Sequence, residues 1–283
     1  MIKLNNQKIE INYFSDGTFK FLNCPVLQKE QVSIHWFFEN NEELLVLYML
    51  TKHLRTNYDI KKMHLFMPYI PNNKIEQVEH SESEVFCLKY FCDIINDMKF
   101  DAVYVMHPHS NVSMALLNNC FLDKTYVFIL TDLIKILSPD YLFYSNENCR
   151  KHIEHFIPHP YIFGVEYNSG EKLQNIETEI ITNNTDLKGK TILLIEDLIS
   201  DGNNLLLNLK KLKDMGVGEC NIFATHTEDT IFNGELLNCD LFTHIYTTNS
   251  ILTKKHNKIA AYDLKEEKTL NPISNDESLK EDS

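Results

Sequence analysis

The segment Lys188–Asn204 holds the side chains best spaced for chemistry. An apolar strand expected over Lys190–Ile195 delivers two adjacent carboxylates, Glu196 and Asp197, to its C-terminal end. A short turn, Ser200-Asp201-Gly202, then opens a helix through Asn203 and Asn204. Ligands of open α/β sheets bind beyond the carboxyl ends of the strands. Backbone N–H groups at such a helix start suit a phosphate, and the acid pair suits ribose hydroxyls, as acceptors of hydrogen bonds. A second cluster, His107-Pro108-His109-Ser110, directly follows a short apolar strand at Ala102–Met106. Its two imidazoles could share a metal, as nitrogen donors better suited to transition metals than to Mg²⁺. Plainer alternatives stand beside both clusters. The acids would serve equally as a solvated turn capping the next helix, and the histidines as hydrogen-bonded loop residues holding no metal.

These side chains need elements to carry them. Helical spacing marks Glu43–Arg55 through Leu44, Leu47, Tyr48, Leu50 and Leu54, and Glu84–Met98 through Val85, Leu88, Phe91, Cys92 and Ile95. Leu205, Leu206, Leu209 and Leu212 line a third helix, which Met215-Gly216 ends. Strands are expected at 7–14, Met63–Met67, Ala102–Met106, Lys190–Ile195 and Cys220–Thr225, with Phe14–Thr18 as a turn and His226 stabilising another. This alternation predicts an α/β protein with mostly parallel sheet flanked by helices. Residues 136–185 read as irregular, and the charged, apolar-poor tail as disordered.

With 283 residues there is room for two domains, each with its own core. The net charge of −13 argues against nucleic-acid binding, which needs a positive surface. No apolar run approaches the roughly 18 residues of a membrane span, and the N-terminus lacks the apolar stretch of a secretory signal. Seven cysteines without a Cys-x-x-Cys spacing fit a reduced, cytoplasmic interior.

The stretch Lys188–Asn204 resembles the PRPP-binding loop of type I phosphoribosyltransferases: two acids, two apolar residues, a short turn and glycine. The likeness continues through Ala224-Thr225-His226, Gly234-Glu235-Leu236-Leu237 and Ile245–Ser250. In the first half, Phe14–Thr18, Met67–Pro71 and His107–Ser110 resemble the corresponding segments of ribose-phosphate pyrophosphokinases (PRPP synthetases). The resemblance implies two phosphoribosyltransferase-like domains, 1–138 and 139–263, followed by a tail at 264–283. It also implies pyrophosphoryl transfer from ATP to ribose 5-phosphate or a related ribose phosphate, with Mg²⁺ or Mn²⁺. By the same likeness Glu196, Asp197, Ser200, Asp201, Gly202, Asn203 and Asn204 would bind the ribose phosphate, Lys74 and Glu76 the nucleotide, and His107 and His109 the metal. A homo-oligomer, or association with an active relative, is the implied assembly.

The chain departs from that pattern wherever phosphates would be neutralised. Its loop reads Asp201-Gly202-Asn203-Asn204 where the family has Thr or Arg before Gly-Gly-Thr. Lys74-Ile75-Glu76-Gln77 replaces Arg-x-Asp-Arg, and His107 replaces a metal-site aspartate. Glu166-Tyr167-Asn168 stands where the catalytic lysine and its companion arginine are expected, leaving Lys172 as the nearby substitute. The alternatives are therefore a pyrophosphokinase-like enzyme with eroded motifs, a non-catalytic regulatory or assembly subunit of the same family, and a phosphoribosyltransferase.

Overall fold

The computed structural model describes residues 1–25, 30–74, 85–168, 176–182 and 185–266. Glu76 and Lys172, and the tail beyond 266, lie outside the described residues. The chain divides into two compact units, Met1–Asp123 and Lys124–Ser283. The helix Thr125–Leu137 thus falls in the second unit, ahead of the boundary expected at 138.

The first unit contains β1 (Ile2–Leu4), β2 (Gln7–Lys8), β3 (Ile11–Tyr13), β4 (Phe19–Phe21), β5 (Gln31–Trp36), α1 (Glu42–Asn57), β6 (Lys62–Phe66), α2 (Cys87–Asp97), β7 (Ala102–Met106), α3 (Asn111–Leu116) and β8 (Cys120–Asp123). Its sheet runs β2-β1-β5-β6-β7-β8, with β5 to β8 parallel and β1 antiparallel to β5. Alternation along β5 buries Val32, Ile34 and Trp36 in one cluster with Leu47, Leu50 and Leu54 of α1 and Leu88, Phe91 and Ile95 of α2. A row of rings crosses four strands of this sheet: His35–Phe66 and Phe66–Tyr104 stack at 4.6 Å each, and Phe121 follows at 5.7 Å. These cross-strand pairs pin the parallel register.

The strand expected at 7–14 is not one strand. Asn5 and Asn6 turn back at positive φ so that β1 pairs with β2, and the chain then enters a separate β3–β4 hairpin. Asparagine tolerates that left-handed geometry through its short polar side chain, a local preference that an apolar count does not register. The expected turn closes the hairpin, with Phe14 N–H donating to Thr18 O at 2.7 Å.

The second unit holds α4 (Thr125–Leu137), β9 (Tyr141–Tyr144), α5 (Glu147–Ile153), β10 (Tyr161–Asn168), β11 (Ile176–Ile181), β12 (Thr191–Ile199), α6 (Asn203–Asp214), β13 (Glu219–Thr227), β14 (Ile245–Thr248) and β15 (Ile259–Tyr262). Two 3₁₀ turns, Asp229–Asn233 and Leu236–Asn238, separate β13 from β14. Part of the segment read as irregular is therefore regular. Asn146 starts α5 by accepting a hydrogen bond from Cys149 N–H at 2.8 Å.

The sheet order is β11-β10-β9-β12-β13-β14-β15, all neighbours parallel except β10 and β11. From β9 the chain moves outward to β10 on one side; it returns to β12 on the other side of β9 and progresses to β15. Connections thus leave β9 and β12 in opposite directions. The carboxyl ends of these two strands form the topological switch point at which open α/β sheets bind ligands.

Candidate functional site

At the carboxyl end of β9 stand Ser145 and Asn146; at that of β12 stand Glu196, Asp197 and the loop Ser200–Asn204. The acids lie inside the strand, not beyond its end as expected. β12 continues to Ile199, and its ladder with β13 pairs Leu198 with His226 and Ile199 with Thr227. The run Leu198-Ile199 is apolar and β-competent, so the ladder propagates past the two charges. Successive strand residues point to opposite faces, so the neighbouring carboxylates leave β12 on opposite sides of the pleat.

Each acid is held by its surroundings. Glu196 is half-buried, and its Oε2 accepts a short hydrogen bond from Ser145 Oγ, itself 2% exposed. Asp197 is 4% exposed, which removes the solvated-turn alternative for this residue. Cys149, in the first turn of α5, is buried with its Sγ 3.5 Å from Ile195 O. Burial first, and then the charges of Asp197 and Glu196, push its thiol well above the ordinary range, so it stays protonated beside the acids. His152 of the same helix is pushed below the usual imidazole range by burial, against the opposing pull of Asp197.

The loop into α6 is shaped by two glycines. Gly202 caps α6 at φ +78°, and an added Cβ would meet Leu236 Cδ2 at 2.6 Å. A Cβ on Gly234 would come within 2.1 Å of Asp201 O, so the 3₁₀ segment presses directly on the loop backbone. Asp201 accepts from Asn203 N–H at 3.1 Å and from Asn203 Nδ2 at 2.7 Å. Asp201, Asn203 and Asn204 are exposed, and Ser200 is half-buried. The loop residues named from sequence are thereby gathered at one sheet edge with both acids.

His226 lies within β13 at 2% exposure rather than at a turn, its Nδ1 2.8 Å from Ser250 Oγ. Beside it Thr227 and Thr247 share a hydrogen bond at 2.8 Å, and Thr248 donates to Thr225 O at 2.6 Å. These buried hydroxyls brace the β13–β14 edge.

In the first unit, Lys74 is exposed at the end of the segment after β6, and His107 and His109 follow β7. The two segments meet where Met106 N–H donates to Pro68 O at 3.0 Å. His107 is fully buried at φ +38°, His109 is half-buried, and Ser110 caps α3 by accepting from Val112 N–H at 3.1 Å. Among the described residues no three His, Cys, Asp or Glu side chains gather to hold a metal ion. Sequence reasoning did not place Ser145, Cys149 and His152 beside the acids, and took Gly234 only as part of the family likeness. Of the signals available, the Asn-x-x-Cys start of α5 could have placed the first three beside the acids.

A two-unit α/β chain with a strand–acid–loop–helix at its switch point defines the class, that of phosphoribosyltransferase-like folds. No family model matches the chain. The ribose-phosphate pyrophosphokinase of Pyrococcus abyssi is 23% identical over 227 residues, covering 77% of this chain and 75% of that protein. The ribose-phosphate pyrophosphokinase of Pyrococcus furiosus is 22% identical over 227 residues, covering 77% of each. The solved phosphoribosylpyrophosphate synthetase of Mycobacterium smegmatis superposes with a TM-score of 0.68 at 14% identity, over 91% of this chain and 86% of that one. This chain is a divergent relative of the ribose-phosphate pyrophosphokinases, with their fold.

Proposed function

We propose that this protein is a ribose-phosphate pyrophosphokinase-like enzyme, transferring the β,γ-pyrophosphoryl group of ATP to the anomeric hydroxyl of a ribose-phosphate acceptor and releasing AMP. The observation that carries the reading is the acid pair Glu196 and Asp197 at the switch point, above a glycine-shaped loop, in a chain similar over 77% of its length to such enzymes. In this role Glu196 and Asp197 accept hydrogen bonds from ribose hydroxyls. Ser145 fixes the Glu196 carboxylate before the acceptor arrives, so no ordering cost falls on the binding step. Lys74 supplies a point charge to the nucleotide phosphates, without the bidentate geometry of arginine.

The nitrogen donors His107 and His109 do not fit a protein-held Mg²⁺ site, because Mg²⁺ takes an octahedron of oxygens. His107 is wholly buried, and Ser110 is committed to capping α3. Magnesium in this reading arrives as Mg–ATP, ligated by the substrate's own phosphates. Catalysis is positioning and charge neutralisation, and Lys172 is the nearest cation by sequence to the place where a lysine has been lost.

The second reading, a non-catalytic subunit assembled with an active relative, is favoured by Glu166, which occupies β10 opposite Thr178 where the family's cations are expected. The test is AMP release from Mg–ATP by the purified protein, with ribose 5-phosphate and with ADP-ribose as acceptors. Acceptor-dependent AMP supports the enzyme. Silence with both, repeated with Mn²⁺, transfers the assignment to the subunit, whose partner native mass spectrometry of co-expressed relatives would identify.

A further inference from the structure

The outer faces of α1 and α2 break the usual amphipathic pattern. Both helices bury one side in the cluster that contains Val32, Ile34 and Trp36 of β5, so they lie on the same face of the first sheet. Arg55, in the last turn of α1, donates from Nε to Met98 O at the end of α2 at 3.3 Å, which sets the two helices side by side. Solvent-facing positions of such helices are ordinarily polar. Here Leu45 and Met49 follow one another at i, i+4 along α1, and Tyr90 and Ile94 do the same along α2. The β3–β4 hairpin adds Tyr13, whose hydroxyl lies beside the Glu42 carboxylate in the first turn of α1. Each of these five side chains is between 39% and 54% exposed.

At about 100 Å² apiece, half the area of a large side chain, they leave roughly 500 Å² of apolar surface in one place. That is at the upper end for the largest such patch on a monomer, and it is rimmed by polar residues, as interaction surfaces are. Lys52 Nζ lies 5.2 Å from the Tyr48 ring and Lys89 Nζ 5.9 Å from the Tyr90 ring, so the lysine stems extend the apolar area. With them the patch approaches the about 800 Å² per partner of a stable interface. Glu42 and Asp93 are exposed in the same rim as the two lysines. A rim of both signs can pair with a copy of itself, whereas a surface sharing the net charge of −13 would repel one.

We infer that this face is the contact between two copies of the chain, related by a two-fold axis that lays α1 of each copy against α2 of the other. Leu45 and Met49 of one copy then meet Tyr90 and Ile94 of the other, and the reciprocal contact forms with it. Neither helix carries a residue assigned to the ribose-phosphate or nucleotide sites, so the inference stands or falls apart from the enzymatic reading.

The experiment is sedimentation velocity of the full chain across a concentration series, as wild type, Met49→Glu, Ile94→Lys, the double variant Met49→Glu/Ile94→Lys, and Phe128→Glu. Phe128 is also exposed but lies on α4 of the second unit, and serves as the control. The substituted positions are exposed, so thermal midpoints by circular dichroism should match that of wild type; should one single variant prove unstable, the other carries the test. Wild type is expected to sediment as a dimer. Either single variant on α1 or α2 raises the dimer dissociation constant at least about 100-fold, because a two-fold contact loses each side chain twice. The double variant regains most of that loss, since opposite charges then meet across the axis, and Phe128→Glu stays dimeric. A wild type that is monomeric at every concentration, or that pairs only with a different protein, overturns the inference. So does a dimer that survives both single variants, or a loss that the double variant does not relieve.

Discussion

Asn208 lies on the buried face of α6 with Leu205, Leu209 and Leu212, at 0% exposure, and among the described residues neither Oδ1 nor Nδ2 has a hydrogen-bond partner. A buried amide left unpaired costs the desolvation of two polar groups without return. Leucine has the same branching, so Asn208→Leu is expected to raise the free energy of unfolding by about 1–3 kcal/mol, read from urea denaturation. A loss of stability would show that the amide has a partner in the folded protein. Cys149 illustrates the complementary case: its thiol is satisfied by Ile195 O and kept neutral by burial first and then by the acids, so it serves packing rather than nucleophilic chemistry.

Elements in the second unit are tied at both edges of the sheet. At the amino edge, Asp140 precedes β9 and accepts from Thr191 N–H and Thr191 Oγ1 at 2.9 Å each, and from Lys190 Nζ at 3.1 Å. The Thr191 hydrogen bonds, main-chain first, and then Lys190 hold its carboxyl down at about 2. A folded-state pKa below the unfolded one adds stability that is complete above about pH 4 and is lost as pH falls through the folded value. Asp140→Asn should therefore flatten the acid limb of the thermal midpoint between about pH 4 and pH 2, measured by circular dichroism against wild type. At the carboxyl edge the 3₁₀ segment presses on the loop. Gly234→Ala should displace Asp201 and destabilise the protein by about 1–3 kcal/mol, the range for overpacking; an unchanged thermal midpoint would mean the loop yields freely.

On the scale of the whole molecule, each unit closes its own apolar cluster: one from Ile2 to Leu117, the other from Phe143 to Ile259. A separately expressed fragment 124–266 is expected to show an α/β dichroism spectrum and a cooperative thermal transition, because its sheet and core are complete within it. A non-cooperative melt would show that this core depends on the first unit. Among the described residues no helix is long and apolar enough to cross a membrane.

Much of this architecture was legible residue by residue. The spacing of Leu44, Leu47, Leu50 and Leu54 defined α1 to within two residues at either end, and Ala102–Met106 matched β7 throughout. The loop motif placed Glu196, Asp197 and Gly202 at one sheet edge because strand and helix periods are local properties that a few consecutive side chains express. What tertiary structure decided was everything depending on neighbours distant in sequence. The ladder with β13 drew Glu196 and Asp197 into the strand, Ser145 came 51 residues along the chain to reach Glu196, and Gly234 came to rest on Asp201. Pairing across a sheet is set by long-range packing, which overrides the local tendency of a charged pair to end a strand. The two hydrogen bonds that Asp201 accepts from Asn203 likewise became clear only when the helix start was in place.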